Sequence, residues 1–177
     1  MFEEEVSVWV PSRVSGLPDE SRSVFAEHLD KLGLESGVAQ ELNGPITSAE
    51  KLQREESHVL LLSCKDGVPN GFIKYGEKNL FFYSEKGVLK EVKCICVLDF
   101  YVSTQLQRSG IGSLLFNNML KRLDMPPHAL AYDRPSPKLV SFLAKHHQLV
   151  NPDLQPNRYA IFPDVFLDGV LNDKGKR

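Results

Sequence analysis

An apolar run that ends in a polar turn, two glycines and a helical stripe constrains this chain more than any other feature. Leu98-Asp99-Phe100-Tyr101-Val102 reads as a strand, and Gln107-Arg108-Ser109-Gly110-Ile111-Gly112 as the turn after it. Leu114, Leu115, Met119 and Leu120 then form one face of a helix. Glycines let the backbone curl closely around a ligand, and the first amides of a helix have no internal acceptor. With the positive end of the helix dipole, such a site favours phosphate or pyrophosphate. No G-x-x-x-x-G-K-[ST] string occurs, and Leu115 stands where a dinucleotide fingerprint needs its third glycine. Short glycine patterns recur by chance, so the surrounding residues must decide between a ligand loop and a plain strand-to-helix turn.

The 177 residues suit one domain, drawn as residues 1–171 with a frayed polar tail at 172–177. A net charge of −2 argues against a general nucleic-acid binder. The acidic start, Met1 to Glu5, lacks the basic and apolar regions of a signal peptide, and no apolar run approaches a membrane span. Neither nucleic acid nor membrane is therefore an expected partner. Cys64, Cys94 and Cys96 form no paired framework, which suits a reducing, cytoplasmic compartment. No metal is expected either: Cys94 and Cys96 lack a C-x-x-C partner, and His146 and His147 are adjacent and so diverge on a helix.

Alternating Val6, Val8 and Val10 predict a first strand, and Pro18 opens a helix striped by Val24, Phe25, Leu29 and Leu32. Gly33 and Gly37 weaken the second half of that helix, and Asn43-Gly44-Pro45 stops it. Thr47 with Glu50 predicts a capping box for a short helix to about Glu55. Strands are expected at 59–64, 72–75 and 80–83, with turns at Asp66-Gly67 and Asn70-Gly71, and the longest at 92–102. After the glycine-loop helix come a strand near 129–132, a helix near 137–147 and a strand near 159–162. The order predicts an α/β fold, a mixed sheet with helices on both faces.

The spacing Q/R-x-x-G-x-G/A at residues 107–112 resembles the pyrophosphate loop of acetyl-CoA-dependent N-acetyltransferases of the GNAT superfamily. Transfer from a thioester to an amine needs a cradle for the coenzyme, a neutral amine, and stabilisation of the thioester oxygen. A free lysine has a pKa near about 10.4, so a carboxylate or relayed base beside it is useful. Asp99 and Asp133 are the best-placed candidates, although Asp133 before Arg134-Pro135-Ser136 also suits a helix cap or a salt bridge. Cys96 fits a small core residue as well as a catalytic one. Strand alternation puts Cys96 and Asp99 on opposite faces, so one site can hold both only if a bulge intervenes.

Larger blocks sharpen the resemblance. Cys96-Val97-Leu98-Asp99-Phe100-Tyr101-Val102, the loop at 107–112, Asp133-Arg134-Pro135-Ser136 and Phe142-Leu143-Ala144-Lys145-His146 are similar to signature blocks of the α-tubulin N-acetyltransferase family. Pro45-Ile46-Thr47-Ser48-Ala49 and Gln40 match it too, and the blocks keep the family's order from about residue 38 to 166. The resemblance implies a single-domain GNAT-like fold and a lysine acetyltransferase that uses acetyl-CoA as co-substrate, with no metal. It implies α-tubulin in microtubules as partner, a cytoplasmic, cytoskeletal location that extends to cilia or flagella, and a monomer. Coenzyme contacts carry over to the main chain of Phe100, Tyr101 and Val102, to Gln107, Arg108, Ser109, Gly110, Ile111, Gly112 and Ser113, and to Ser136, Lys138 and Lys145. Catalytic roles carry over to Asp133 and Cys96, with Asp99 nearby and Gln40 as a further activity-critical position. Ser113 stands where the family often has a basic residue, and the hairpin between Cys64 and Phe72 is short for the family. Rival readings are a GNAT enzyme for another protein or small amine, and a CoA- or microtubule-binding module without turnover. A cysteine acyl-enzyme route is weaker than direct attack, since Cys96 has no evident paired histidine.

Overall fold

Among the described residues the apolar alternation and turn residues fold into seven strands that hydrogen-bond in the order β1-β2-β3-β4-β5-β7-β6, with five α-helices. The computed structural model describes Phe2, residues 4–83 and residues 87–162; the tail at 172–177 lies outside them. By contact the chain divides into two units: Met1–Tyr75 with Asp99–Arg122, and Gly76–Leu98 with Leu123–Arg177. Strands β3 (Val68–Tyr83) and β4 (Leu89–Val102) each run through both.

In the first unit, β1 (Val6–Trp9) pairs antiparallel with β2 (His58–Lys65), Val6 opposite Ser63 and Trp9 opposite Leu60. Short α1 (Pro11–Ser15), which the sequence did not signal, opens on a proline. The long α2 (Asp19–Ala39) starts after Pro18 and buries Phe25, Leu29, Leu32 and Ser36 at helical spacing. Trp9 and Phe25 meet with ring centroids 4.4 Å apart, in a core that also holds Leu52, Phe72 and Tyr101. Helix α4 (Ile111–Leu123) buries Leu115, Phe116 and Met119, and the Phe116 ring lies 6.1 Å from that of Phe100.

Three local expectations change here. Gly33 and Gly37 do not weaken α2; they let the 44–47 segment lie against its backbone. A Cβ on Gly33 would stand 1.9 Å from the Thr47 carbonyl oxygen, and one on Gly37 would stand 3.3 Å from that of Gly44. Thr47 does not cap the short α3 (Ala49–Gln53): Ser48 does, accepting from the Lys51 amide at 3.1 Å. Asn70-Gly71 is not a turn but lies inside β3, which joins two expected strands into one of 16 residues. Ser63 satisfies the Asn70 side chain at 2.9 Å, and a Cβ on Gly71 would lie 3.0 Å from the Tyr101 carbonyl oxygen. The real turn is Asp66-Gly67, with φ of 52° and 75°, as a two-residue hairpin requires.

The Gly33 contact is directly testable. Gly33→Ala forces a methyl against main chain that cannot rotate away, and overpacking of this kind costs about 1–3 kcal/mol or more. The melting temperature should fall by roughly 3–10 °C, whereas Gly67→Ala, which meets no atom within 4 Å, should lose only what its positive φ costs. An unchanged melting curve for Gly33→Ala would show that the helix and the segment are not in contact.

In the second unit, β4 pairs parallel with β5 (Ala131–Asp133) at Cys96↔Ala131 and Val97↔Tyr132. Strand β5 pairs antiparallel with β7 (Tyr159–Ile161), and β7 with the two-residue β6 (Asp153–Leu154). Helix α5 (Pro137–His147) has Pro137 in its first turn and Ser136 as its cap, the hydroxyl accepting from the Leu139 amide at 3.2 Å.

Candidate active site

Strand β4 carries Cys96, Asp99, Phe100, Tyr101 and Val102, and its two faces carry different chemistry. Val92, Cys94, Cys96 and Leu98 share one apolar cluster, whereas Asp99 and Tyr101 turn toward α2. The alternation is regular, so Cys96 and Asp99 lie on opposite faces and the structure does not bring them together. The bulge that would have put both in one site is not needed to place either side chain.

On the α2 face, Asp99 is only 5% exposed. Its Oδ1 accepts from the Ser36 hydroxyl and from Gln40 Nε2, both at 3.1 Å, and its Oδ2 accepts from the Thr47 hydroxyl at 2.6 Å. Gln40 Nε2 also donates to Ser36 Oγ at 2.8 Å. Asp99 is therefore a hub that ties the end of α2 to the 44–48 segment, and its oxygens are already engaged. An open groove of about 630 Å³ runs along α2, lined by Lys31, Leu34, Glu35, Val38, Tyr101 and Ser103 among others. Glu35 is held there by the Tyr101 and Ser103 hydroxyls, which donate at 3.3 and 3.2 Å. Sequence reasoning missed Ser36 and gave Thr47 the wrong task. Ser36 had a signal, as a polar residue on the stripe of Phe25, Leu29 and Leu32; Thr47 had none.

On the other face, Cys96 is fully buried, its sulfur 3.8 Å from that of Cys94. The hydrogen bond with Cys94 and then burial push the Cys96 thiol far above its ordinary range, and the negative charge of Asp133 adds to this. A thiol so held favours the neutral form near pH 7 over the thiolate. Cys94, considered from sequence only as a metal ligand, is what chiefly sets this state. Asp133 closes β5 opposite Tyr159, with its side chain 15% exposed. Arg134 Nε approaches its Oδ1 at 2.9 Å, and Arg134 Nη2 its Oδ2 at 3.4 Å. Burial, then the negative charge of Asp133, raise the Tyr159 hydroxyl above its usual value, so it too stays protonated.

The glycine turn is built as a cradle. Arg108 and Gly110 take φ of 67° and 94°, and Gly110 accepts from the Leu114 amide at 2.9 Å to start α4. Among the described residues the Ile111, Gly112 and Ser113 amides make no main-chain hydrogen bond outside the helix, as first-turn amides do. Nothing lies within 4 Å of a Cβ placed on Gly110, so the approach to these amides is open. Gln107 turns its amide back onto the Val102 carbonyl at 3.0 Å, and Ser109 donates to the Leu106 carbonyl at 2.6 Å. These two side-chain hydrogen bonds brace the loop from within. Arg108 is exposed beside it, and Phe100, Tyr101 and Val102 extend β4 beyond its last β5 pair at Val97. In the second unit, Lys138 and Lys145 lie exposed on α5, whose own first turn is capped by Ser136. Among the described residues no cluster of His, Cys, Asp or Glu could hold a metal ion, and no helix is long and apolar enough to cross a membrane.

A mixed sheet whose central strand runs into a glycine turn and an open helix N-terminus defines an α/β protein that can hold a phosphorylated ligand there. A family model described as GNAT acetyltransferase, Mec-17 matches residues 3–176, and the chain belongs to that family. It is 44% identical over 94% of its length to alpha-tubulin N-acetyltransferase 1 of Danio rerio, of which the match covers 59%. It is 38% identical over 93% of its length to the alpha-tubulin N-acetyltransferase of Tetrahymena thermophila, covering 41% of that protein. For the protein of the same name from Phytophthora infestans the figures are 40% identity, 82% of this chain and 91% of the relative. The chain thus spans about half the length of the first two relatives. Among solved structures, an aminoglycoside N-acetyltransferase in complex with CoA aligns over 84% of this chain and 91% of its own, at 13% identity and a TM-score of 0.48.

Proposed function

We propose that this chain is a lysine N-acetyltransferase that transfers acetyl from acetyl-CoA to a lysine of α-tubulin in microtubules, by direct attack of the amine. The observation that carries the reading is the 44% identity, over nearly the whole chain, to a protein named for that activity. The cradle supports it: open first-turn amides at Ile111, Gly112 and Ser113, a glycine with positive φ, and exposed Arg108 fit the pyrophosphate of a coenzyme. The extended main chain of Phe100, Tyr101 and Val102 suits an amide-bearing coenzyme arm, and Ser136, Lys138 and Lys145 are assigned to the same ligand. Acetyl-CoA supplies the activated acetyl group.

Asp133 is assigned the proton of the lysine amine, because it is a half-buried carboxylate at a strand end, fixed from one side by Arg134. Cys96 is assigned the wall of the reaction site, since its neutral thiol is a poor nucleophile. Gln40 is assigned to the acceptor. The same reading places the protein at microtubules, including those of cilia. Mass spectrometry of polymerised tubulin incubated with the protein and acetyl-CoA should show one dominant acetylated lysine on the α-chain. Remote contacts of a large acceptor orient the amine, so activity on microtubules should far exceed that on spermidine. Preferential acetylation of the small amine, or scattered lysines on both tubulin chains, would favour a different acceptor.

A further inference from the structure

Two of the three cysteines are held side by side. Cys94 and Cys96 are two residues apart on β4, so the pleat sends both side chains to one face. They share the apolar cluster of Val92, Leu98, Ala131, Tyr159 and Ile161, where Cys94 is 6% exposed and Cys96 is fully buried. Their sulfurs stand 3.8 Å apart. Cys94 Sγ donates to the Lys78 carbonyl and Cys96 Sγ to the Cys94 carbonyl, each at 3.8 Å, and a thiol is a weak donor that gives up such bonds readily. Cys64, the third cysteine, is also free and buried but belongs to the other unit.

The spacing suits a central atom bonded to both sulfurs better than a bond between them. A disulfide needs its sulfurs at about 2.05 Å and its Cα atoms within about 6.8 Å. Residues i and i+2 of a strand are about 6.4–6.8 Å apart, at the far end of that range, so a direct bond would strain β4. Half of 3.8 Å is 1.9 Å, less than the ~2.3 Å that a thiolate keeps from zinc, so one soft atom reaches both sulfurs without moving either. A structural zinc ion takes four ligands, and among the described residues no third His, Cys, Asp or Glu completes a set here. Trivalent arsenic, also soft toward sulfur, makes three bonds and needs only two of them from protein. Its chemistry fits an apolar cluster too, because arsenous acid is uncharged in neutral water. Two S–H and two As–O bonds break, two S–As and two O–H bonds form, and both thiol protons leave in two waters. No oxidant is consumed, and no charge is left where burial would penalise it.

We infer that Cys94 and Cys96 form a paired-thiol site for small, uncharged trivalent arsenic compounds, and that filling it stops acetyl transfer. The second half rests on the acetyltransferase reading, in which Cys96 walls the reaction site; the first half does not. Cys94 is what makes the site, since without it Cys96 is a single thiol and cannot chelate. The charge of Asp133 is felt at Cys96, so arsenic on the pair lies in the field of the carboxylate assigned the lysine proton.

The probe is arsenous acid, added as sodium arsenite to the reduced full chain. Native mass spectrometry should show one adduct per chain, heavier by one arsenous acid less two waters. Cys94→Ala and Cys96→Ala should each lose it, and Cys64→Ala should keep it, with circular dichroism confirming that each variant is folded. The wild-type adduct should also shield Cys94 and Cys96, but not Cys64, from N-ethylmaleimide added on unfolding, a readout that needs no substitution. Acetyl transfer to polymerised tubulin should fall at least about tenfold under saturating arsenite. It should return with dithiothreitol but not with the same amount of thiol supplied as glutathione. Cys94→Ala should be at least about tenfold less sensitive to arsenite than wild type. No adduct on the folded wild type, an equal adduct on folded Cys94→Ala, or full acetyl transfer by fully modified protein overturns the inference. The expected adduct on a protein that acetylates no lysine even without arsenite would defeat the acetyltransferase reading and leave the thiol-pair site in place.

Discussion

Asp133→Asn is expected to lower kcat on a tubulin lysine by about 10²-fold or more, since a positioned acid–base group typically contributes 10²- to 10⁴-fold. The substitution is isosteric, so β5 keeps its register, Asp133 opposite Tyr159, and the Arg134 main chain keeps its bond to the Arg158 carbonyl at 3.0 Å. What it removes is the negative oxygen that can take a proton. Binding of acetyl-CoA should be unaffected, because the glycine turn proposed to hold its phosphates is on a different element. Asp99 is less suited to the role, its two oxygens already accepting from Ser36, Gln40 and Thr47. Cys96→Ala should cost much less, and no acetyl group should be found on Cys96 in wild type or in Asp133→Asn. Undiminished turnover in Asp133→Asn would assign the proton to solvent, and an acetylated Cys96 would replace direct attack by a two-step route.

Gly110→Val is expected to abolish measurable acetyl-CoA binding in a thermal-shift assay. In the wild type, coenzyme at 100 times Kd should stabilise the native state by about 2.7 kcal/mol. For a chain of this length that is a rise in melting temperature of roughly 5–11 °C. No atom lies within 4 Å of the added Cβ. The effect is on the backbone: at a φ of 94° a β-branched residue is strained by about 1–3 kcal/mol. Relief of that strain swings the Ile111, Gly112 and Ser113 amides away from a common target. Circular dichroism should show the variant folded. A full coenzyme shift in Gly110→Val would mean that this turn is not the phosphate site.

Local chemistry was legible wherever its cause was local. Helix α5 runs from Pro137 to His147 as expected, because a serine cap and a first-turn proline fix its start within four residues. The strand, glycine turn and helix from 98 to 123 were legible for the same reason, the apolar period changing from two to 3.6 across the turn. Alternation along β4 correctly separated Cys96 from Asp99. Asn70-Gly71 misled because its meaning depends on Ser63 and Tyr101, which sit on neighbouring strands.

By itself, the sequence determined the mixed α/β plan, the strand, glycine turn and helix from 98 to 123, and the family, and it singled out Gln40, Cys96, Asp99 and Asp133 as residues of interest. Only the tertiary structure decided what several of them do. Glycines read as weak points of a helix became its contact surface, and a supposed helix cap became a buried donor to the Asp99 carboxylate. Cys96 became a neutral thiol because Cys94 points the same way from one pleat along the strand. A side chain's intrinsic chemistry is written in its residue type, but its protonation, its orientation and its free lone pairs are set by neighbours. For Asp99 those neighbours are 52 to 63 residues away along the chain, and no short window of sequence contains them.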